Sequence, residues 1–199
     1  MEYGFLSGLG LTSSAGLNAY IPLLVLALAD RFSNQVTLAQ PYDFLSSTAG
    51  IIIIIVLLTI EIAVDKVPGI DHMNDLLQSA IRPASGAILM MSTTHDTVHL
   101  NPALAMILGL LVAGGVHAAK ALSRPVITVS TAGLGNPIIS MVEDGIAVIT
   151  SIIAVLFPLV VIAAIIVFGA LLYWAYRRIR RFSLGSSRRP SSPPQTLRQ

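Results

Sequence analysis

Seven polar side chains in this apolar chain have the types and spacings that could bind a solute. They are Asn18, Glu61, Asp65, Arg82, His117, Lys120 and Asn136. An ionisable group inside a membrane-spanning segment costs roughly 2.5–3.5 kcal/mol on insertion scales, so each one needs a partner or a function. We therefore treat the seven as candidate ligands for an ion or a small polar solute, and we predict no catalytic residue.

The acidic candidates are Glu61 and Asp65, which follow an apolar run and stand four residues apart. A helix places residues at that spacing on one face. Two carboxylates so placed could hold a cation or relay a proton. The structural alternative is that Glu61 reaches lipid headgroups at the helix end or pairs with Lys66.

The basic candidates lie on another predicted helix, where His117, Lys120 and Arg124 recur at spacings of three and four. These spacings also share one face. His117 could titrate near neutral pH or donate a hydrogen bond to Glu61. Lys120 and Arg82, with the N-termini of half-helices, could hold an anion. Alternatively, the basic and acidic faces only pair with each other inside a bundle, or the cations are ordinary helix-end residues.

Two asparagines stand near prolines that would interrupt a helix, Asn18 before Pro22 and Asn136 before Pro137. Interrupted membrane segments expose backbone groups that can coordinate ions near the membrane midplane. A buried asparagine can equally serve as a hydrogen bond between helices. Acidic side chains in the first turn of a helix are stabilised by the helix dipole. We therefore assign the acidic pair at residues 143 and 144 a structural role.

Metal and enzyme chemistry are not indicated. His95, Asp96 and His99 have ligand types at helical spacing, but a third ligand of established position is lacking. The chain has no cysteine and no nucleotide-binding, zinc-protease or nucleophile-elbow pattern. We predict no cofactor, no metal and no enzymatic activity.

The composition indicates what surrounds these residues. Hydrophobic residues make up 54% of the chain and charged residues only 11%, whereas soluble domains carry about 25% charged residues. So few charges cannot cover a water-soluble protein, but they suffice if lipid covers most of the surface. The sequence therefore predicts an all-α, polytopic membrane helical bundle, and it argues against nucleic-acid binding.

Apolar stretches predict four to six membrane segments within one domain, residues 1–182, since a span needs about 20 residues. Regular spans are expected at 9–29, 48–65 and 102–120. A short interfacial helix should end at Arg82-Pro83, and interrupted or re-entrant segments are expected there and at 133–137. The apolar stretch 138–176 should break at Phe157-Pro158, or else residues 138–149 should form a separate half-helix, because about 58 Å of helix exceeds a membrane of about 30 Å.

A small-small-Ala-Gly-aliphatic pattern recurs at residues 13–17, 47–51 and 130–134. It could mark an internal, inverted repeat. The alternative is that membrane helices pack through small residues, so that such pairs recur by composition.

The C-terminal end of the domain indicates its orientation. Aromatic residues at 173–176 are followed at once by arginines at 177, 178, 180 and 181. By the positive-inside rule this end faces the cytoplasm, in a multi-pass protein of the cytoplasmic membrane. Residues 183–199, rich in serine, proline and arginine, predict a disordered basic cytoplasmic tail.

The string Ala15-Gly16-Leu17-Asn18-Ala19-Tyr20, followed by residues 61–66, Arg82-Pro83 and Gly86-Ala87, resembles a family of small polytopic membrane proteins. That family is widespread in prokaryotes and is catalogued as a domain of unknown function. The resemblance covers roughly residues 5 to 175, implies an all-helical membrane fold and brings no activity or site residues. Glu61 with Asp65-Lys66 is also similar, at a wider spacing, to the E-x-G-D-[KR] motif of a cation/proton exchanger family; His117 and Lys120 stand where that family's second acids would be.

The leading hypothesis is a small secondary transporter or channel, surrounded by membrane lipids and forming a homo-oligomer. Its substrate would be a cation, a proton, a small anion or a small polar solute, bound around Glu61. One alternative is a non-catalytic scaffold or accessory subunit whose polar residues lock the helices together. A lipid-handling protein is the third, motivated by the interfacial helix and Arg82. Convergence of the polar residues would favour transport, and dispersal to helix ends would favour the scaffold.

Overall fold

The computed structural model describes residues 3–33, 36–65, 71–95, 100–131 and 135–167, together with residues 170 and 174, and it gives no side-chain information at 71–75 or 126. All regular structure in these ranges is helical, as the sequence predicts. The chain divides into two units, residues 1–162 and 163–199, and all seven candidate residues lie in the first. The tail at 183–199 and the cationic residues after position 174 lie outside the described residues.

The described residues form seven α-helices and one 3-10 helix. They are α1 (Gly4–Ala15), α2 (Tyr20–Phe32), the 3-10 helix (Tyr42–Ser46), α3 (Thr48–Val64), α4 (Asp71–Thr94), α5 (Pro102–Thr131), α6 (Asn136–Leu156) and α7 (Pro158–Val167). Among the described residues, α5 and α6 are long and apolar enough to cross a membrane, by length and composition. The helices α3 and α7 are apolar but shorter.

Helices α1 and α4 run antiparallel to each other. A side chain added to Gly8, near the start of α1, would meet the side chains of Thr93 and Met90, near the end of α4. One turn further along α1, Thr12 Oγ1 donates to the Gly86 carbonyl at 3.2 Å. The start of α1 therefore lies at the same end of the bundle as the end of α4.

Helix α2 returns to that same end. Arg31, in its last turn, donates to Thr48 Oγ1 at the start of α3 (3.0 Å). In the 3-10 helix just before α3, the Tyr42 ring packs edge-on against the His95 ring after α4, with centroids 6.1 Å apart. Thus α1 and α2 form a helical hairpin whose tip is the non-helical segment 16–19.

The predicted single span at 9–29 is therefore wrong. Its place is taken by helices of 12 and 13 residues, about 18 and 20 Å long, each shorter than a hydrocarbon core of about 30 Å. Pro22 does not kink a long helix, because it stands in the first turn of α2, where a proline lacks no hydrogen bond. The amide of Asn18 fixes the reversal, as described below.

The predicted helix end at Arg82-Pro83 is also wrong, whereas the predicted break at Phe157-Pro158 is confirmed. Helix α4 continues through Pro83 and α5 through Pro125, so the predicted interfacial helix and the partial segment after it form one continuous helix. The two helices approach each other closely along this stretch: a Cβ added to Gly109 of α5 would lie 2.6 Å from the Ala87 Cα of α4. The predicted break before Pro158 is present, since Phe157 is non-helical between α6 and α7.

The interior combines an apolar cluster with many polar groups. Leu11, Leu26, Leu89 and Val155 belong to the apolar cluster, at the end of the bundle that holds the base of the hairpin. Large apolar side chains face outward instead, on α3, α5 and α6; Ile53, Leu111 and Ile149 are 49–66% exposed. Buried charged side chains lie toward the tip of the hairpin, buried hydroxyl groups such as those of Ser7 and Thr93 lie toward its base, and much of the outer surface is apolar.

Candidate functional site

Six of the seven predicted residues meet in one buried network, which we call the polar cluster. Its members come from the hairpin tip and from helices α3, α4, α5 and α6: Asn18, Glu61, Asp65, Arg82, His117, Lys120, Arg124, Ser140, Glu143 and Asp144. The packing therefore brings together side chains that are up to 126 residues apart in the sequence.

The Arg82 guanidinium lies at the centre of the polar cluster. Its Nη2 is 3.1 Å from Glu61 Oε1, and both side chains are only 1% exposed. Its Nη1 is 3.2 Å from Nδ1 of His117. One cation on α4 thus contacts an acid on α3 and an imidazole on α5, and these charges are removed almost completely from solvent.

Two further ion pairs flank this centre. Lys120 Nζ lies 2.8 Å from Glu143 Oε2, which joins α5 to α6. Arg124 lies 4.0 Å from Asp65 Oδ2, and the Ser140 hydroxyl donates to that same oxygen at 2.8 Å. The faces predicted from spacing, acidic on α3 and basic on α5, therefore do meet, although Glu61 pairs with Arg82.

The hairpin tip is bound to the polar cluster by two contacts. Lys120 Nζ donates to the Leu17 carbonyl at 3.1 Å. The Asn18 amide nitrogen donates to Asp144 Oδ1 at 3.0 Å. The Asn18 oxygen meanwhile accepts from the backbone N–H groups of Tyr20 and Ile21, both at 3.1 Å, and so caps the start of α2.

This dual role predicts a graded loss of stability at Asn18. We expect Asn18→Ala to lower the unfolding free energy by about 1–2 kcal/mol for the lost cap alone. Asn18→Ser keeps an oxygen that can cap α2 but lacks the amide donor, so it should lose less. Unfolding in detergent, followed by circular dichroism, checks this order. Equal losses in the two variants would show that the cap contributes nothing.

The polar cluster lies about midway along the bundle. Arg82 is near the middle of α4, about 18 Å along the axis from Thr94. Asp144 lies at a similar distance from the end of α6, and the hairpin tip lies one helix length, about 18 Å, from Gly4. The cations and the acids of α6 therefore lie inside their helices, whereas Glu61 is in the last turn of α3 and Asp65 directly follows that helix.

Asn136 lies outside the polar cluster, and its role as a site residue stays a prediction. Its amide nitrogen donates to Thr128 Oγ1 at 3.0 Å, between α5 and α6. Asn136 is the first residue of α6, one turn before Ser140, at which the cluster begins. The Asn-Pro pair starts a helix and does not interrupt one.

The sequence reasoning missed Glu143 and Asp144, which it assigned to a helix start. Helix α6 begins at Asn136, so these acids lie about two turns inside it. A signal was available, because Ser140, Asp144 and Ser151 recur at spacings of three and four with Ala147. That face packs against α1, where Ser14 Oγ donates to the Ala147 carbonyl at 2.8 Å.

Within the described ranges, His, Asp and Glu side chains form no group of three that could hold a metal. His95 packs against the Tyr42 ring. Asp96, His99 and Lys66 lie outside the described residues. The pattern of small residues at 130–134 lies partly outside them, and the internal repeat stays a prediction.

A protein-family model matches most of the chain. The model of the family described as "Domain of unknown function (DUF4126)" matches residues 5–178. The chain belongs to this family. The match takes in the hairpin, the whole polar cluster and α7, and the description assigns DUF4126 no activity. Neither the curated proteins nor the solved structures compared with the chain gave a match.

Proposed function

We propose that the chain is a small membrane transporter or channel whose polar cluster and hairpin tip bind an ion or a small polar solute on its way across the bilayer. The observation that carries the proposal is the meeting of a broken helical segment with buried charges midway along the bundle. Half-helix ends and free backbone groups at the midplane are how many transporters bind their substrates.

The distribution of side chains supports a membrane setting. Outward-facing positions of α3, α5 and α6 are large and apolar, whereas the charged residues of these helices lie inside. Lipid is the environment in which such an arrangement is stable. We infer a multi-pass protein of the cytoplasmic membrane, with the arginine-rich C-terminus on the cytoplasmic side.

The contacts within the polar cluster support a site in which contacts between protein groups can be exchanged for contacts with a solute. Lys120 contacts both Glu143 and the Leu17 carbonyl of the tip, so a displacement of the tip alters a contact of that ammonium group. Arg124 lies 4.0 Å from Asp65 Oδ2, whereas Arg82 Nη2 lies 3.1 Å from Glu61 Oε1. A passing solute could therefore replace contacts that the protein makes with itself.

Flux into proteoliposomes tests this proposal. Purified full-length protein is reconstituted and assayed with a panel of monovalent cations, protons, small anions and uncharged solutes. We expect wild-type flux of at least one species above protein-free vesicles, and a reduction of about tenfold or more in Glu61→Gln. The matched control is Asn136→Ala, a polar deletion outside the cluster, which should retain wild-type flux.

Because Glu61→Gln disturbs a buried ion pair, Lys120→Arg is assayed beside it. This second variant keeps the positive charge and changes the contact with the tip. Transport by the cluster is ruled out if well-folded wild type carries none of the species, or if both variants match wild type.

A scaffold is the second candidate function. Hydrogen bonds such as Ser14 Oγ to Ser151 Oγ, at 2.8 Å, tie α1 to α6 and favour it. If stable, correctly folded protein shows no flux, the scaffold is the function that remains. The lipid-handling hypothesis loses its motivation, because the predicted interfacial helix is part of the continuous helix α4.

A further inference from the structure

Three buried atoms beside the central ion pair have no hydrogen-bond partner within the protein. They are Glu61 Oε2, Arg82 Nε and Gln78 Oε1. The three residues are only 1–2% exposed. A buried polar atom without a partner is destabilising, and native proteins contain few of them. Three such atoms on neighbouring side chains indicate a place built to bind something.

The geometry of the ion pair shows how these atoms are related. An arginine commonly meets a carboxylate through two parallel hydrogen bonds. Here Nη2 of Arg82 contacts Oε1 of Glu61, while the adjacent Nε–H and the second carboxylate oxygen remain unpaired. Gln78 stands one helical turn before Arg82 on α4, so its side chain shares that face.

The chemistry of the three atoms defines a ligand class. Two acceptors, on Glu61 and Gln78, require hydrogen-bond donors, and the single N–H of Arg82 requires an acceptor. The Arg82–Glu61 pair already balances its own charge. A simple cation would leave the N–H unpaired and face the guanidinium, and a simple anion would offer no donor and face the carboxylate. The complementary ligand is uncharged, with at least two donors and one acceptor.

We propose that Glu61, Gln78 and Arg82 bind a small uncharged molecule that both donates and accepts hydrogen bonds, the class that includes urea and glycerol. This inference rests on the proposed transport function, and it narrows the substrate to neutral polar solutes. Gln78 becomes a residue that confers specificity, because it adds the second acceptor. A rotation of the carboxylate that closes the second arginine hydrogen bond is the competing arrangement.

The test uses full-length protein in proteoliposomes and stopped-flow light scattering with urea and glycerol gradients. We expect permeability to at least one of these solutes to exceed that of protein-free vesicles by about fivefold or more. Gln78→Leu removes the acceptor at similar volume and should reduce this permeability at least threefold. Ser79→Ala is the matched control, since Ser79 is exposed and its hydroxyl donates within its own helix to Leu76.

Gln78→Met is assayed as a second variant, so that a folding defect in Gln78→Leu does not decide the result. Ion fluxes are measured in the same vesicles. Ion flux without urea or glycerol permeability overturns the neutral-solute inference and keeps the proposed function. Absence of both in folded protein overturns the two together. Permeability that both Gln78 variants retain in full removes this residue from the site and overturns the assignment.

Discussion

Arg82→Met should lower the unfolding free energy by about 3–5 kcal/mol, the usual cost of removing one partner of a buried ion pair. The variant leaves the Glu61 carboxylate, which is 1% exposed, without its cation. It also removes the contact with His117 Nδ1. Chemical unfolding in detergent, followed by circular dichroism, gives the loss directly.

The double variant Arg82→Met with Glu61→Leu provides the decisive comparison. Replacing a buried ion pair by apolar side chains of similar volume often leaves the stability unchanged or raises it by roughly 1–4 kcal/mol. We therefore expect the double variant to recover most of the stability that Arg82→Met loses, with no recovery of transport. Asn136→Ala serves as the control outside the polar cluster. A double variant as unstable as the single one would mean that an unpaired carboxylate is not the cause.

Gly109→Ala should lower stability, while Gly115→Ala in the same helix should not. A Cβ at Gly109 would lie 2.6 Å from the Ala87 Cα and 2.7 Å from the Gly86 carbonyl carbon, all backbone atoms of α4 that cannot rotate away. Overpacking of this kind costs about 1–3 kcal/mol and occasionally more. A Cβ at Gly115 meets nothing within 4 Å, so alanine there should stabilise the helix by about 0.5–1 kcal/mol.

Thermal unfolding of the two glycine variants in one detergent checks the difference. The midpoint of Gly109→Ala should fall and that of Gly115→Ala should stay level or rise. Equal midpoints would contradict the close approach of α4 and α5.

Composition and periodicity were sufficient to predict the helical class and most of the polar cluster. A charge inside an apolar segment is conspicuous, and spacings of three and four place Lys120 and His117 on one face whatever the tertiary fold. The pairing of Glu61 with Arg82 was not predictable in this way. It depends on how α3 and α4 pack, and Lys66 is nearer to Glu61 in the sequence.

The hairpin escaped prediction for a related reason. An apolar stretch long enough to span does not reveal whether it continues or folds back, because both structures bury the same residues. What fixes the reversal is the Asn18 side chain, which caps α2 and contacts Asp144, 126 residues away. Likewise, the persistence of α4 through Pro83 does not follow from proline rules that consider one helix alone.

The hairpin also determines which helix termini lie at the same end of the bundle. Because α1 starts and α2 ends at the same end of the bundle, residues 3 and 33 lie at that end together. The starts of α3 and α5 and the ends of α4 and α6 then share that end, and the opposite termini share the other. For the multi-pass membrane protein proposed above, counting residues 9–29 as one span would reverse the side assigned to every later helix, and with it the expected side of a tag or antibody epitope.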